Sequence, residues 1–420
     1  MKSILSMLIL MFLICPLTAE EKLLASLVLT AHERDIGETP LSVSCDGLIT
    51  HENDERLLLY EMNAQERRLI PSQVENGIYK RVWWMLDGGL SAGSQRSFQL
   101  VLSDSVTPTI TPMNFSLLRD DLVLMENRQN RLNYHFGVVE PPDGASPLFR
   151  RSGFIHPLWS PRGQVLTRIQ PPDHLHHFGI WNPWTKTRFQ GREIDFWNLG
   201  QGQGTVRFAG FTAFIRGPLF CGFKARQEHI DLTQQPEVVA LNEVWDVRAW
   251  KAGEASSWWC DFNTFLSCAT DSAIVLEAYR YGGGLGFRAM ESWTRETCRV
   301  LTSEGRTRID ADGSRARWCL VSGENELNEE AGILFLSHPE NRDFPEPMRV
   351  WPLDANDGRG DLFFEFCPIR LTEWSLRPGR EYRLKYRMVV FDGELTAEQA
   401  EQMWQDFAHP PFVQVIPATR

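Results

Sequence analysis

Helical periodicity is almost absent from the chain. Across 420 residues only "LTAEQAEQMWQDFAH" (395–409) spaces apolar residues as a helix does, which excludes a helical bundle. Thr396 reads as its N-cap and Pro410-Pro411 as its stop. After Leu17 no apolar run is long enough to cross a bilayer as a helix. Basic excess is missing as well. With 43 Lys and Arg against 54 Asp and Glu, the net charge of −11 leaves no footprint for nucleic acid. No CxxC pair occurs, so a zinc ribbon is excluded. Beyond Cys15 the chain has Cys45, Cys221, Cys260, Cys268, Cys298, Cys319 and Cys367, an odd number that disulfides cannot exhaust. Runs such as "FFEFCP" and "RWCLVSG" are settings for buried free thiols. Tyrosine is scarce, seven against 15 Trp and 25 Phe. No G-x-S-x-G, H-E-x-x-H, Walker A or kinase motif is found.

What is present begins with a leader-like start, "MKSILSMLILMFLICPLTAEE". Lys2 precedes an apolar run from Ile4 to Leu17, and Glu20 and Glu21 follow Ala19 at once. This pattern predicts a signal peptide over 1–19 and a periplasmic or secreted mature protein. The rest is a succession of short alternating or apolar runs bounded by Gly, Asn, Asp and Pro. Examples are "RSFQLVL", "QVLTRI", "TVRFAGFTAFI", "EVVALNEVWDVRAW", "AIVLEAYRY", "GILFLSH" and "YRLKYRMVVF". They predict an all-β chain. A small β-sandwich module is expected over 20–105, then a Ser/Thr/Pro-rich linker or crossover over 106–124. The domain over 125–415 is too long for an immunoglobulin-sized sandwich of about 100 residues, so a large two-sheet sandwich is expected there.

The densest chemistry lies in "QPPDHLHHFGIW" (170–181), where Asp173, His174, His176 and His177 follow two prolines. In an extended segment His174 and His176 share one face, Asp173 and His177 the other. Three readings stay open. The histidines are packed, hydrogen-bonded core or rim groups. Or they transfer protons, which needs a near-neutral His facing a second His, a carboxylate or a Tyr. Or His174 and His176 form half a site for one divalent metal ion, completed by a distal group such as Asp195. A second segment, "LEAYRYGGGLGFRAMESW" (276–293), has three glycines outside any dinucleotide frame. They mark either a tight bulged turn or a ligand's close approach to backbone beside Tyr281 and Arg288. A third segment (335–368) offers His338, Asn341, Arg349 and Glu365. Glu365 is flanked by aromatics in an apolar strand, where burial would raise its pKa toward acid–base use; the alternative is a salt-bridged glutamate facing solvent.

"RSGFIHPLWSPRGQVLT", "DHLHHFGIW" and "HPENRDFPEPMRVW…FFEFCP" resemble a bacterial PmoA-like family of unknown function labelled methane oxygenase PmoA, over about residues 125–415. With no membrane-helix pattern, that resemblance implies membership rather than methane chemistry. "GFIHPLWSPRG" followed by "HHFGI" is similar, more weakly, to aldose-1-epimerase-like proteins. That resemblance implies a large galactose-mutarotase-like β-supersandwich binding sugars on a concave sheet, with a His and a Glu as acid and base. It would put His176 or His177 at the first His position, His338 at the second, and Glu365 as the base. His156 before the first proline and the extra histidine depart from that pattern.

Residues and resemblance together lead to an exported all-β protein acting on a sugar or oligosaccharide by His/Glu acid–base chemistry without a cofactor. His174, His176, His177, His338 and Glu365 are the expected catalytic groups. His156, Trp181, Trp197, Tyr281, Arg288, Asn341 and Arg349 are expected to hold the carbohydrate. Two alternatives belong to other classes. One is a metal-dependent enzyme built on His174, His176 and Asp195; the other is a non-catalytic glycan-binding protein. Neither a nucleic-acid partner nor stable membrane insertion is expected.

Overall fold

The structure, a computed structural model, describes residues 20–49, 54, 56–63, 66–77, 79–104, 110–251, 256–324 and 329–418. The expected leader lies outside them. The described residues form 28 strands and one α-helix, so the chain is all-β. No helix among them is long and apolar enough to cross a membrane.

Two eight-stranded antiparallel sheets form the body. The front sheet runs, in spatial order, Met348–Val350, Phe363–Phe366, Leu285–Arg288, Ile180–Trp181, Phe154–Leu158, Gln129–His135, Asp121–Glu126 and Met113–Leu117. The back sheet runs Gly204–Ile215, Phe220–Asp231, Val238–Lys251, Ser257–Cys268, Glu381–Asp392, Glu330–Ser337, Trp318–Glu324 and Cys298–Thr302. Its strands are long because alternation persists: along Ser257–Cys268, Phe262, Thr264 and Leu266 are buried while the residues between them are partly open. One core joins the sheets, and Phe335 of the back sheet packs against Phe364 at 4.6 Å and Phe287 at 5.3 Å. At about 25 cal/mol per Å² of apolar surface, such aromatic burial dominates the stability. This is the large sandwich that the strand count implies.

The outer side of the back sheet is covered too. Trp250, Trp259 and Trp318 pack there with Trp404 of the helix Ala397–Ala408 and with Trp83 of the N-terminal region. The helix starts where the sequence said: Thr396 Oγ1 accepts the Gln399 N–H, and Gln399 Oε1 accepts the Thr396 N–H. The N-terminal region has its own core, centred on Leu27, Leu59, Trp84, Phe98 and Leu100, between sheets of five and three strands. The strand Val413–Pro417 pairs with Glu21–Thr30, so the far end of the chain closes the first sheet. The stretch 106–124, expected as a linker or crossover, supplies the edge strand Met113–Leu117 and the start of Asp121–Glu126; its residues 106–109 lie outside those described. Two expected strands are shorter. "QVLTRI" contributes isolated bridges and "AIVLEAYRY" only Ile274–Leu276, because prolines and glycines interrupt the neighbouring backbone.

Candidate functional site

Register decides which side chains leave the core. Ile180 pairs with Phe287 and Phe287 with Phe364, and Phe287 and Phe364 face the back sheet. Period-two alternation then turns Trp181, Gly286, Arg288, Phe363 and Glu365 to the outer face. Arg349 pairs with Glu365 and joins them. The outer face of the front sheet thus carries an aromatic, arginine-bearing surface.

The histidine segment folds onto this surface as two successive turns, not as the expected extended strand. His174 N–H donates to Pro171 O at 2.9 Å and His177 N–H to His174 O at 3.0 Å, while Gln170 N–H closes the loop on His177 O at 2.8 Å. The two-face separation is therefore overturned, and all three rings converge. Their centroids lie 4.7 Å (His174–His177), 4.8 Å (His176–His177) and 5.4 Å (His174–His176) apart. Aromatic walls enclose them. His177 stacks on Trp197 at 5.5 Å and contacts Phe363 at 5.1 Å, Trp181 at 5.4 Å and Trp351 at 5.5 Å. Trp197 N–H donates to His176 O at 3.1 Å, fixing the wall to the loop. Tyr281 extends it, 5.3 Å from Trp197, with its hydroxyl accepting from Arg349 at 2.9 Å and Trp351 at 3.2 Å.

A charged brace runs through the cluster. Buried Arg288 donates to Asp173 at 2.9 Å and Asp361 at 2.7 Å, and its guanidinium lies 4.7 Å over Trp351. Asp173 in turn bonds His174 Nδ1 at 2.7 Å. Burial alone would raise the Asp173 pKa, but Arg288 and His174 outweigh it and keep the carboxylate ionised. His174 therefore carries its proton on Nδ1 toward Asp173, and its Nε2 has no hydrogen bond among the described residues. Burial, then the charges of His174 and Arg288, lower the His176 pKa to about 4. His177 is held well below the usual histidine range by burial first, then by His176, Arg288 and His174. Both are neutral near pH 7.

Glu365 is fully buried, and burial raises its pKa well above the carboxylate range. Its Oε1 accepts the Gly282 N–H at 3.0 Å, whereas Oε2 has no partner among the described residues. The solvent-facing, salt-bridged alternative is thereby overturned. The triple glycine is a packing necessity. A Cβ on Gly283 would fall 1.7 Å from the Trp184 ring and one on Gly284 2.1 Å from Phe366 O, both at positive φ.

Other expected residues lie elsewhere. His156 shares the outer face but bonds Thr167 Oγ1 at 2.9 Å and stacks near His135 at 6.4 Å, away from the three histidines. His338 ends a back-sheet strand, its Nδ1 taking the Glu340 N–H and its ring against Phe407 of the helix. Asn341 bonds Glu346 and the Lys385 backbone. His338 was expected as the second histidine of the site and Asn341 as a carbohydrate contact, but both follow a strand of the back sheet, Glu330–Ser337. Asp195 caps a turn through the N–H groups of Trp197 and Asn198, so it does not complete a ligand set with His174 and His176. Among the described residues no three His, Cys, Asp or Glu groups are arranged to hold a metal ion. Sequence reasoning passed over Phe363, Trp351 and Asp361. Alternation in "FFEF" pairs Phe363 with Glu365 and was the available signal; Asp361 in "NDGRGD" looked like an ordinary turn residue.

Comparison with known proteins adds a family. A family model described as "Family of unknown function (DUF6807)" matches residues 121–405. The PmoA label is not part of that match. No curated protein matches the chain. Among solved structures it is similar to the GH36 alpha-galactosidase AgaA of Geobacillus stearothermophilus in complex with 1-deoxygalactonojirimycin, at 9% identity and a TM-score of 0.30. That likeness covers 67% of this chain and 40% of the galactosidase chain.

Proposed function

The chain belongs to the DUF6807 family of unknown function, and from that footing we propose that it is an exported carbohydrate-active enzyme whose site is the histidine cluster on the front sheet. One observation carries the reading: the Asp173–His174 pair, braced by Arg288, opens its free Nε2 among aromatic faces. A carboxylate on Nδ1 fixes the tautomer and orients Nε2 as the proton acceptor. His174 is the base in this reading. Neutral, half-buried His176 offers a ring nitrogen to a sugar hydroxyl and half-buried Tyr281 a flat face for sugar C–H groups, while buried His177, whose Nδ1 lies 3.4 Å from Arg288, and buried Trp197 and Trp351 back them. Glu365, kept protonated by burial and with an Oε2 that has no partner among the described residues, is the matching acid. Epimerisation, elimination and hydrolysis all begin with such a transfer and differ in the step that follows it. The leader-like start and acidic, aromatic-rich composition support export.

The test is a turnover screen of monosaccharides and oligosaccharides, followed by NMR in D₂O, on the unchanged chain and on His174→Gln. Turnover of a sugar that falls at least about 100-fold in the variant supports the assignment. Sugar binding without turnover, equal in both proteins, would make this a glycan-binding protein and sink the enzyme reading.

A further inference from the structure

Arg151 is buried to 2% exposure, yet its Nε and Nη1 are enclosed without a hydrogen-bond partner among the described residues. The buried acid whose charge it feels, Glu243, is occupied by Asn182, Trp245, Thr264 and His229. A buried cation without a partner is costly, and burial pulls the Arg151 pKa down to about 10. Such a group is held in a fold either by a compensating network or by something that binds to it.

The second alternative has room. Arg151 lines a cavity of about 290 Å³ whose other walls include Val138, Leu148, Val206 and Leu232. The other arginines on its lining already have acids: Arg207 pairs with Glu237 at 2.6 Å and Arg150 faces Glu140 at 3.9 Å. Arg151 is the cation left over. A guanidinium presents a planar fork that matches a carboxylate, and apolar walls suit a hydrocarbon body rather than a hydrated phosphate. The volume lies at the lower edge of ligand pockets, roughly 300–1,000 Å³.

We propose that this cavity is a second binding site, for a small monocarboxylate with a short apolar tail whose carboxylate pairs with Arg151. It is distinct from the histidine cluster, with which it shares no lining side chain. The two are neighbours through one loop: the Arg151 guanidinium lies 5.6 Å from the ring of Phe178, the residue after His177.

Isothermal titration of the full chain with hexanoate tests the proposal, with hexan-1-ol and inorganic phosphate as companion probes. Saturable hexanoate binding is expected, with both companions at least about tenfold weaker. Arg151→Met keeps the bulk and removes the charge; Leu148→Trp fills the cavity from a position that is 43% exposed. Each should weaken hexanoate at least about tenfold, whereas His174→Gln should leave it unchanged. Should Arg151→Met not fold, Leu148→Trp decides alone. Absence of saturable hexanoate binding overturns the proposal. So does equal binding by hexanol or phosphate, retention in either cavity variant, or loss in His174→Gln.

Discussion

Glu346 and Glu365 are both fully buried, and burial raises both pKa values, yet their surroundings differ in kind. Glu346, pushed up to about 7, has both oxygens held: Tyr386 donates to Oε1 at 2.7 Å, Asn341 to Oε2 at 2.9 Å, and Ser337 also to Oε2. Glu365 receives one backbone N–H and leaves Oε2 bare. A satisfied network fixes one arrangement of the back sheet against its neighbours. An unsatisfied buried oxygen costs about 1–3 kcal/mol and persists where another demand maintains it. The same contrast separates the histidines. His338 is held by the Glu340 backbone and the helix, whereas His174 Nε2 has no hydrogen bond among the described residues and sits beside two further imidazoles.

The largest effect that would break this contrast is on turnover. His174→Gln and Asp173→Asn should each lower kcat/KM for the identified sugar by about 100- to 10,000-fold, the range for a lost proton-transfer group. His338→Ala should change it by no more than about twofold, as for a side chain remote from the chemistry. Equal losses at His174 and His338 would erase the distinction between the two regions.

Next in size is stability. Glu346→Ala strands the donors of Ser337, Asn341 and Tyr386, so urea unfolding should show a loss of about 3 kcal/mol or more. Glu365→Gln is nearly isosteric with the protonated acid, keeps the Gly282 acceptor and exchanges one unpartnered donor for another, so its loss should stay well below that of Glu346→Ala while turnover falls. A larger stability loss in Glu365→Gln than in Glu346→Ala would reverse the assignment.

Much of this architecture was readable from local pattern. The helix was marked by Thr396 and Pro410-Pro411, and the long back-sheet strands by unbroken alternation. The front site was less readable, because its geometry rests on turns. Alternation misled at 172–177, where Pro171 and Pro172 start a turn that brings the rings together. His338 misled for another reason: a strand's apolar run does not say to which sheet it belongs. The pairing of Val413–Pro417 with Glu21–Thr30 joins residues nearly the whole chain apart, beyond the reach of any local signal.

The smallest effect, and the sharpest on the contrast, is the pH dependence of stability. His176 and His338 are each lowered to about 4, chiefly by burial. An unfolded histidine titrates near 6.5. Between about pH 6.5 and 4 the unfolded chain therefore takes protons that the folded chain refuses, and stability falls as pH drops, by at most about 1.4 kcal/mol per pH unit per group. Glu346 acts in the opposite sense. Its contribution is complete below the ordinary carboxylate pKa and is lost as pH rises through about 7. His176→Gln and His338→Gln should flatten the acid limb to similar degrees, and Glu346→Gln should flatten the limb toward pH 7, all read from urea midpoints across pH 4–8. A bound sugar should then separate the two histidines. Contact with the front cluster changes the acid limb through His176 and leaves the part removed by His338→Gln intact, because among the described residues no ring contact or hydrogen bond ties His338 to that cluster.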